Sequence, residues 1–252
     1  MSIPVKCIEL AEYWDLVPAI VGGVIGALAG GIPAWLLAKR QSDEAMRLHA
    51  AQRIDGQKAL AFSTTVKLLH IINSTISLSN HVKSCMAVRD DPIMEPWQVL
   101  VPVIGYTDQG TIRFTAEEMA VFAAAGESDF MHDMLVLALR HASSLATFQE
   151  YCTKRNEFLS VLRKPEAFEG HIASTMLTEE EVNSSKLYTI PLNNRALGLD
   201  TKLDEDVRLS RTVAEKFGSV TKKYFKVKQF ISLPFPTDEE LAAMRQPPYH
   251  TA

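Results

Sequence analysis

Cysteine is scarce in this chain. The three present, Cys7, Cys85 and Cys152, are far apart in 252 residues. They form no C-x-x-C pair and no disulfide framework, which fits a reducing compartment for the bulk of the chain. Charge of one sign is also scarce: the formal net charge is −4, too small to imply a polyanionic or polycationic partner. Internal repeats and low-complexity runs are absent. So are the motifs of the common nucleotide-dependent and hydrolase classes. There is no G-x-x-x-x-G-K-[ST] loop, no G-x-G-x-x-G after a strand, no G-x-S-x-G elbow and no H-E-x-x-H. No cofactor is expected.

What is present is an ordinary globular composition, 47% hydrophobic and 22% charged, interrupted by one unusual run. Between Asp15 and Lys39, residues Leu16 to Ala38 carry no charge. As a helix this run would cover roughly 34 Å, enough for a hydrocarbon core of about 30 Å with some tilt. Tyr13 and Trp14 at one end and Trp35 at the other suit the interfaces. The spacing therefore predicts a single transmembrane helix over 16–38. Lys6 faces Glu9, Glu12 and Asp15 before the run, whereas Lys39, Arg40, Arg47, Arg53 and Lys58 follow it. The positive-inside rule then puts residues 1–15 outside and the remainder in the cytoplasm, with a bacterial inner membrane as the expected location. A cleaved signal peptide ending near Ala27-Leu28-Ala29 is the competing reading. The acidic leading region and the apolar run beyond Ala29 count against it.

Within the run, Gly22, Gly26 and Gly30 recur every four residues, and Gly23, Ala27 and Gly31 form a second row beside them. Small residues at this spacing let helix backbones approach closely. They predict a homo-oligomer seam, or packing on a partner membrane protein. Glycine is also simply common in membrane helices. A pore assembled from such helices has no polar side chain within the run to line it.

The remainder divides into a polar helical stalk (39–57), a helical domain (58–233) and a Pro-rich tail (234–252). Asp55-Gly56 is the expected weak point of the stalk. Phe62, Val66, Leu69, Ile72, Ile76 and Val82 mark an apolar stripe at helical spacing. Prolines and glycines over 90–114 predict irregular structure, with Trp97 to Tyr106 extended. Thr115 and Glu118 form a capping box for a short helix. A long helix over Phe130–Leu162 carries Met134, Leu137, His141, Leu145, Phe148, Cys152, Leu159 and Leu162 on one stripe. Thr178-Glu-Glu-Glu181 predicts one or two turns, and Tyr188 to Leu192 an extended segment. A last long helix opens at Thr201, with Leu203, Val207, Ala214, Phe217, Val220, Tyr224, Val227 and Ile231 on one face. Thr237 is placed to start a final turn. The expected fold is mainly α: a membrane helix followed by an antiparallel helical bundle with long irregular connections.

Chemistry is sparse. The pair His132-Asp133 resembles the central dyad of metal-dependent HD phosphohydrolases, which would imply a hydrolase or metal site with further donors from His70, His81 or His141. An ordinary helix N-terminus explains the same dipeptide. His141 and Cys152, eleven residues apart, read as core residues rather than ligands. Lys216, Lys222, Lys223, Lys226 and Lys228 gather around Tyr224, Phe225 and Phe230. Such a cluster suits anionic lipid headgroups, while a solvated helix end or a nucleic-acid contact competes with that reading. The expected function is a membrane-anchored helical interaction or scaffold subunit; the rivals are a membrane-bound hydrolase and a membrane effector or pore-forming subunit.

Overall fold

A computed structural model describes residues 11–87, 94–102, 112–162, 167–169, 172–174 and 177–245. The chain divides into two compact units, Met1–Gly56 and Gln57–Ala252. Helix α1 (Ala11–Ala87) contributes to both. The helical assignment continues through Asp55-Gly56, the step expected to be weak. Among the described residues no helix is long and apolar enough to cross a membrane. Of the uncharged run 16–38 the backbone is helical, but the side chains of 16–20, 23–25 and 27–29 lie outside the described residues.

The second unit is a helical bundle. After α1 come α2 (Pro96–Val99), α3 (Ala116–Ala124), α4 (Ser128–Val161), α5 (Glu179–Phe225) and α6 (Asp238–Met244). A small antiparallel hairpin, β1 (Ala167–Glu169) with β2 (Ile172–Ser174), lies between α4 and α5. Ion pairs fix the helix directions. Along α4 and α5, Glu127 meets Lys223, Asp133 meets Lys216, and Glu150 meets Arg195, so the two run antiparallel. Lys83 near the end of α1 pairs with Asp200 and Asp204 of α5, while Leu68 and Ile72 earlier in α1 share a core with Val213 and Phe217 later in α5, so α1 is also antiparallel to α5. Helices α1 and α4 are therefore parallel. The segment between them must return the chain along the bundle, which is why a long connection is needed.

Two apolar cores stack along the bundle. The near core, beside the point where α1 joins the unit, holds Leu68, Ile71 and Ile72 of α1 with Met134, Leu137 and Phe217. Phe122, Phe130 and Phe217 bring their ring centroids within 5.5–6.2 Å of one another there. The far core holds Leu78, Val82, Phe148, Tyr151, Phe158 and Leu192. α2 covers its end. The Tyr151 hydroxyl lies 2.7 Å from the carbonyl of Leu100 and 3.0 Å from that of Trp97.

The structure departs from the sequence expectations at five points. First, the α1 stripe holds from Ile72 through Ile76 to Val82, which are buried, but its beginning is displaced: Phe62 and Val66 are 54% and 52% exposed, while Ala61, Leu68 and Ile71 are fully buried. The buried face also carries Thr64, Thr65 and Thr75, whose hydroxyls donate to carbonyls four residues back, at 2.8–3.0 Å. These threonines are polar in the sequence yet satisfied within their own helix, so a search for apolar letters misplaces the face. Second, Tyr188 to Leu192 is helical, and α5 runs through both Pro191 and Thr201. Pro191 removes one N–H donor, but its ring faces solvent, and so does Leu187 one turn before it. Water can then serve the freed carbonyl, while Leu192, Ala196 and Leu199 bury the opposite face. Third, Trp97 lies in the short helix α2 rather than an extended segment; residues 103–111 are outside the described residues. Fourth, the far half of α4 buries Tyr151 and Phe158, leaving Leu159 exposed and Cys152 half-buried. Residues 234–245, assigned by sequence to the tail, include α6, whose Leu241 joins the near core.

Candidate functional site

A layer of polar side chains separates the near and far cores. α1 supplies Thr75 and Ser79, α4 supplies His141 and Ser144, and α5 supplies Asp206 and Ser210, all buried. Asp206 is wholly excluded from solvent. Its Oδ1 accepts from Arg140 Nε at 2.5 Å and its Oδ2 from Ser144 Oγ at 2.8 Å. Arg140 reaches outward as well, donating to Glu205 at 2.6 Å. A carboxylate this deep would be costly unpaired, and the guanidinium and the hydroxyl supply its partners. Ser210 donates to the Asp206 carbonyl. His141 is 4% exposed and its Nε2 has no protein partner. Burial pushes the imidazole below its ordinary range, as does His70, and Asp206 pulls only partly the other way.

The sequence-predicted residues fall in separate places. Asp133 is engaged by Lys216 at 2.9 Å, and His132 beside it is exposed. His81 packs edge-on against Phe148 in the far core, with its Nε2 2.7 Å from the Val101 carbonyl. His70 is exposed on the near half of α1. Among the described residues no three of His, Cys, Asp and Glu stand together as metal donors. Among the described residues the His132-Asp133 dipeptide thus has no assembled ligand set around it. The thiols are poor nucleophiles. Burial raises Cys85 and pushes Cys152 up to about 11, so both stay protonated at neutral pH.

The basic cluster is partly neutralised. Besides Lys216, Lys223 donates to Glu127 at 2.8 Å, leaving Lys222, Lys226 and Lys228 without an acidic partner among the described residues. Lys226 caps α5 in the left-handed conformation, φ 52° and ψ 38°. A glycine would hold that conformation at less cost. Phe225 and Phe230 stack beside it, 5.4 Å between ring centroids. Because α5 is antiparallel to α1, this basic turn lies at the end of the bundle where α1 joins the unit.

In the first unit Gly22, Gly26, Gly30 and Gly31 are open: a Cβ placed on any of them would meet nothing within 4 Å. Gly23 and Ala27 fall outside the described side chains. Trp35, Leu36 and Leu37 are exposed beyond them, and Lys39 lies 5.2 Å from the Trp35 ring centroid.

Sequence reasoning missed the polar layer. Its signal was present in Arg140, His141 and Ser144 on one helix and Asp206 and Ser210 on another, yet an apolar-stripe reading passes over it. No protein-family model, curated protein or solved structure matches this chain, so the reading of its function rests on the residues themselves.

Proposed function

We propose that this protein is a membrane-anchored helical interaction subunit, held by a span over Leu16–Ala38 and self-associating through Gly22, Gly26 and Gly30, with Gly23, Ala27 and Gly31 beside them. The observation that carries the reading is the uncharged run itself, together with the open glycine positions on its helix. Glycine brings no side chain between two backbones, so apposed helices gain close van der Waals contact there. The second unit then presents its bundle on the side of the membrane that carries the basic flank Lys39, Arg40 and Arg47. Lys222, Lys226 and Lys228 are the residues proposed to meet anionic lipid headgroups. Three charges without acidic partners, beside a half-buried aromatic pair, suit an interface that is negative outside and apolar within.

The test is reconstitution of the full chain into vesicles followed by carbonate extraction and cross-linking. The anchored reading expects the chain to stay with the lipid and to cross-link to itself. Release by carbonate would overturn the anchor. Retention without self-cross-linking would overturn the seam while leaving the anchor.

A further inference from the structure

The polar layer interrupts what would otherwise be one continuous core, and all three long helices contribute to it. Thr75 satisfies itself by donating to the Ile71 carbonyl at 2.8 Å. Asp206 has both oxygens committed, one to Arg140 and one to Ser144. His141 stands in this layer with an unpartnered Nε2, between Leu137 of the near core and Phe148 of the far core along α4. The charged and titratable groups acting on the ring are His70 from α1 and Asp206 from α5. Arg140, its chain neighbour on α4, lies against the same carboxylate and also binds Glu205 of α5.

We propose that this layer is an acid-sensitive latch: when His141 takes up a proton, the three helices part at the layer while the near and far cores stay packed.

The argument is one of partners. A neutral imidazole needs one donor and one acceptor at most, and a buried ring with one free nitrogen is tolerable. An imidazolium carries two donors and a full charge. Asp206 is the acid acting on it, and that carboxylate already holds a guanidinium and a hydroxyl. The new cation must therefore displace Arg140 or reach water, and either outcome separates α4 from α5 at this level. The linkage sign agrees. The unfolded chain binds the His141 proton more readily than the folded one, so stability is complete above the ordinary imidazole range and falls as pH drops through it. The flanking cores are built mainly of aliphatic and aromatic side chains; His81, packed edge-on against Phe148 in the far core, already has its Nε2 against the Val101 carbonyl. This inference is independent of the span and the glycine seam.

Hydrogen exchange on the full chain in a mild non-ionic detergent, at pH 7.5 and pH 5.0 with intrinsic rates corrected, tests it. Peptides covering Leu137–Leu145 and Leu203–Ser210 are expected to lose protection by about tenfold or more at the lower pH. Peptides in the near core around Phe217 and in the far core around Phe158 should change far less. His141→Leu should abolish the loss, His141→Gln should do the same with a neutral amide, and His70→Gln should keep most of it. Equal protection at both pH values, a uniform loss over both cores, or an undiminished loss in His141→Leu would overturn the latch. Should neither His141 variant fold, the NMR titration of the native ring decides: a His141 signal titrating like a free imidazole, near about 6.5, overturns the proposal as well.

Discussion

Removing Arg140 would leave the Asp206 carboxylate with Ser144 Oγ as its remaining side-chain partner in a layer without solvent. Arg140→Ala is therefore expected to cost about 2–3 kcal/mol, the low end for a broken buried pair because the guanidinium is partly exposed. The urea midpoint of the full chain reads this. Adding Asp206→Leu to Arg140→Met should recover much of the loss, since the pair is then replaced by apolar volume. A second carboxylate works in a different pH window. Glu118 accepts from Ser63 at 2.7 Å, Lys67 at 2.8 Å and the Thr115 amide at 2.8 Å. Burial alone would raise its carboxyl, but Lys67, Ser63 and the Thr115 amide outweigh this, and the group sits below its ordinary value of 4.5. The unfolded chain binds this proton first as pH falls. Its stabilisation is thus complete above pH 4.5 and is lost as pH drops towards the folded value. Glu118→Gln should flatten the acid limb of stability below that point while leaving the response of the His141 region unchanged. An acid limb of the same slope in the variant would show that another carboxylate dominates.

At the scale of elements, helix starts were the most legible feature. Thr115 with Glu118, Thr178 with Glu181 and Thr237 with Glu240 all form the reciprocal box their spacing predicts. The chemistry of a capping box is local, so four residues suffice to read it. The extent of α5 was not legible. Pro191 and Asn193 resemble a break, yet Asn193 spends its side chain on the other chain segment, accepting from the Trp97 amide and donating to Glu95. Such partners lie nearly a hundred residues away and leave no local trace. The mainly helical character was readable from composition and period; the polar layer was not, because its logic is pairwise between helices. Pro191→Ala restores the missing donor to α5 without touching a buried contact. It should raise stability by about 1–2 kcal/mol, less than the full helix-interior penalty because alanine also loosens the unfolded chain. A lower thermal midpoint would mean the ring serves the structure in a way its exposed position does not suggest.

At the scale of the whole molecule, Gly26→Ile should weaken self-association of the full chain in a membrane two-hybrid or cross-linking assay, while Leu28→Ile should not. The variant associating as well as the parent would reduce the glycines to ordinary composition. Sidedness needs a better reporter than Cys152, whose thiol burial keeps protonated. A cysteine placed at exposed Ala242 should resist an impermeant label in intact cells while Cys7 accepts it; labelling at 242 would reverse the orientation. The parallel arrangement of α1 and α4 has a consequence for biosynthesis. α1 is made first, but the near core that shelters Leu68 and Ile71 is completed by Phe217, Leu233 and Leu241, which leave the ribosome long after it. Until they do, the inner face of α1 has no permanent cover. A nascent chain stalled before α6 would therefore be a client for chaperones, and release of a chain ending at Lys226 should yield a product recovered mainly in aggregates or degraded, whereas the chain through Arg245 survives.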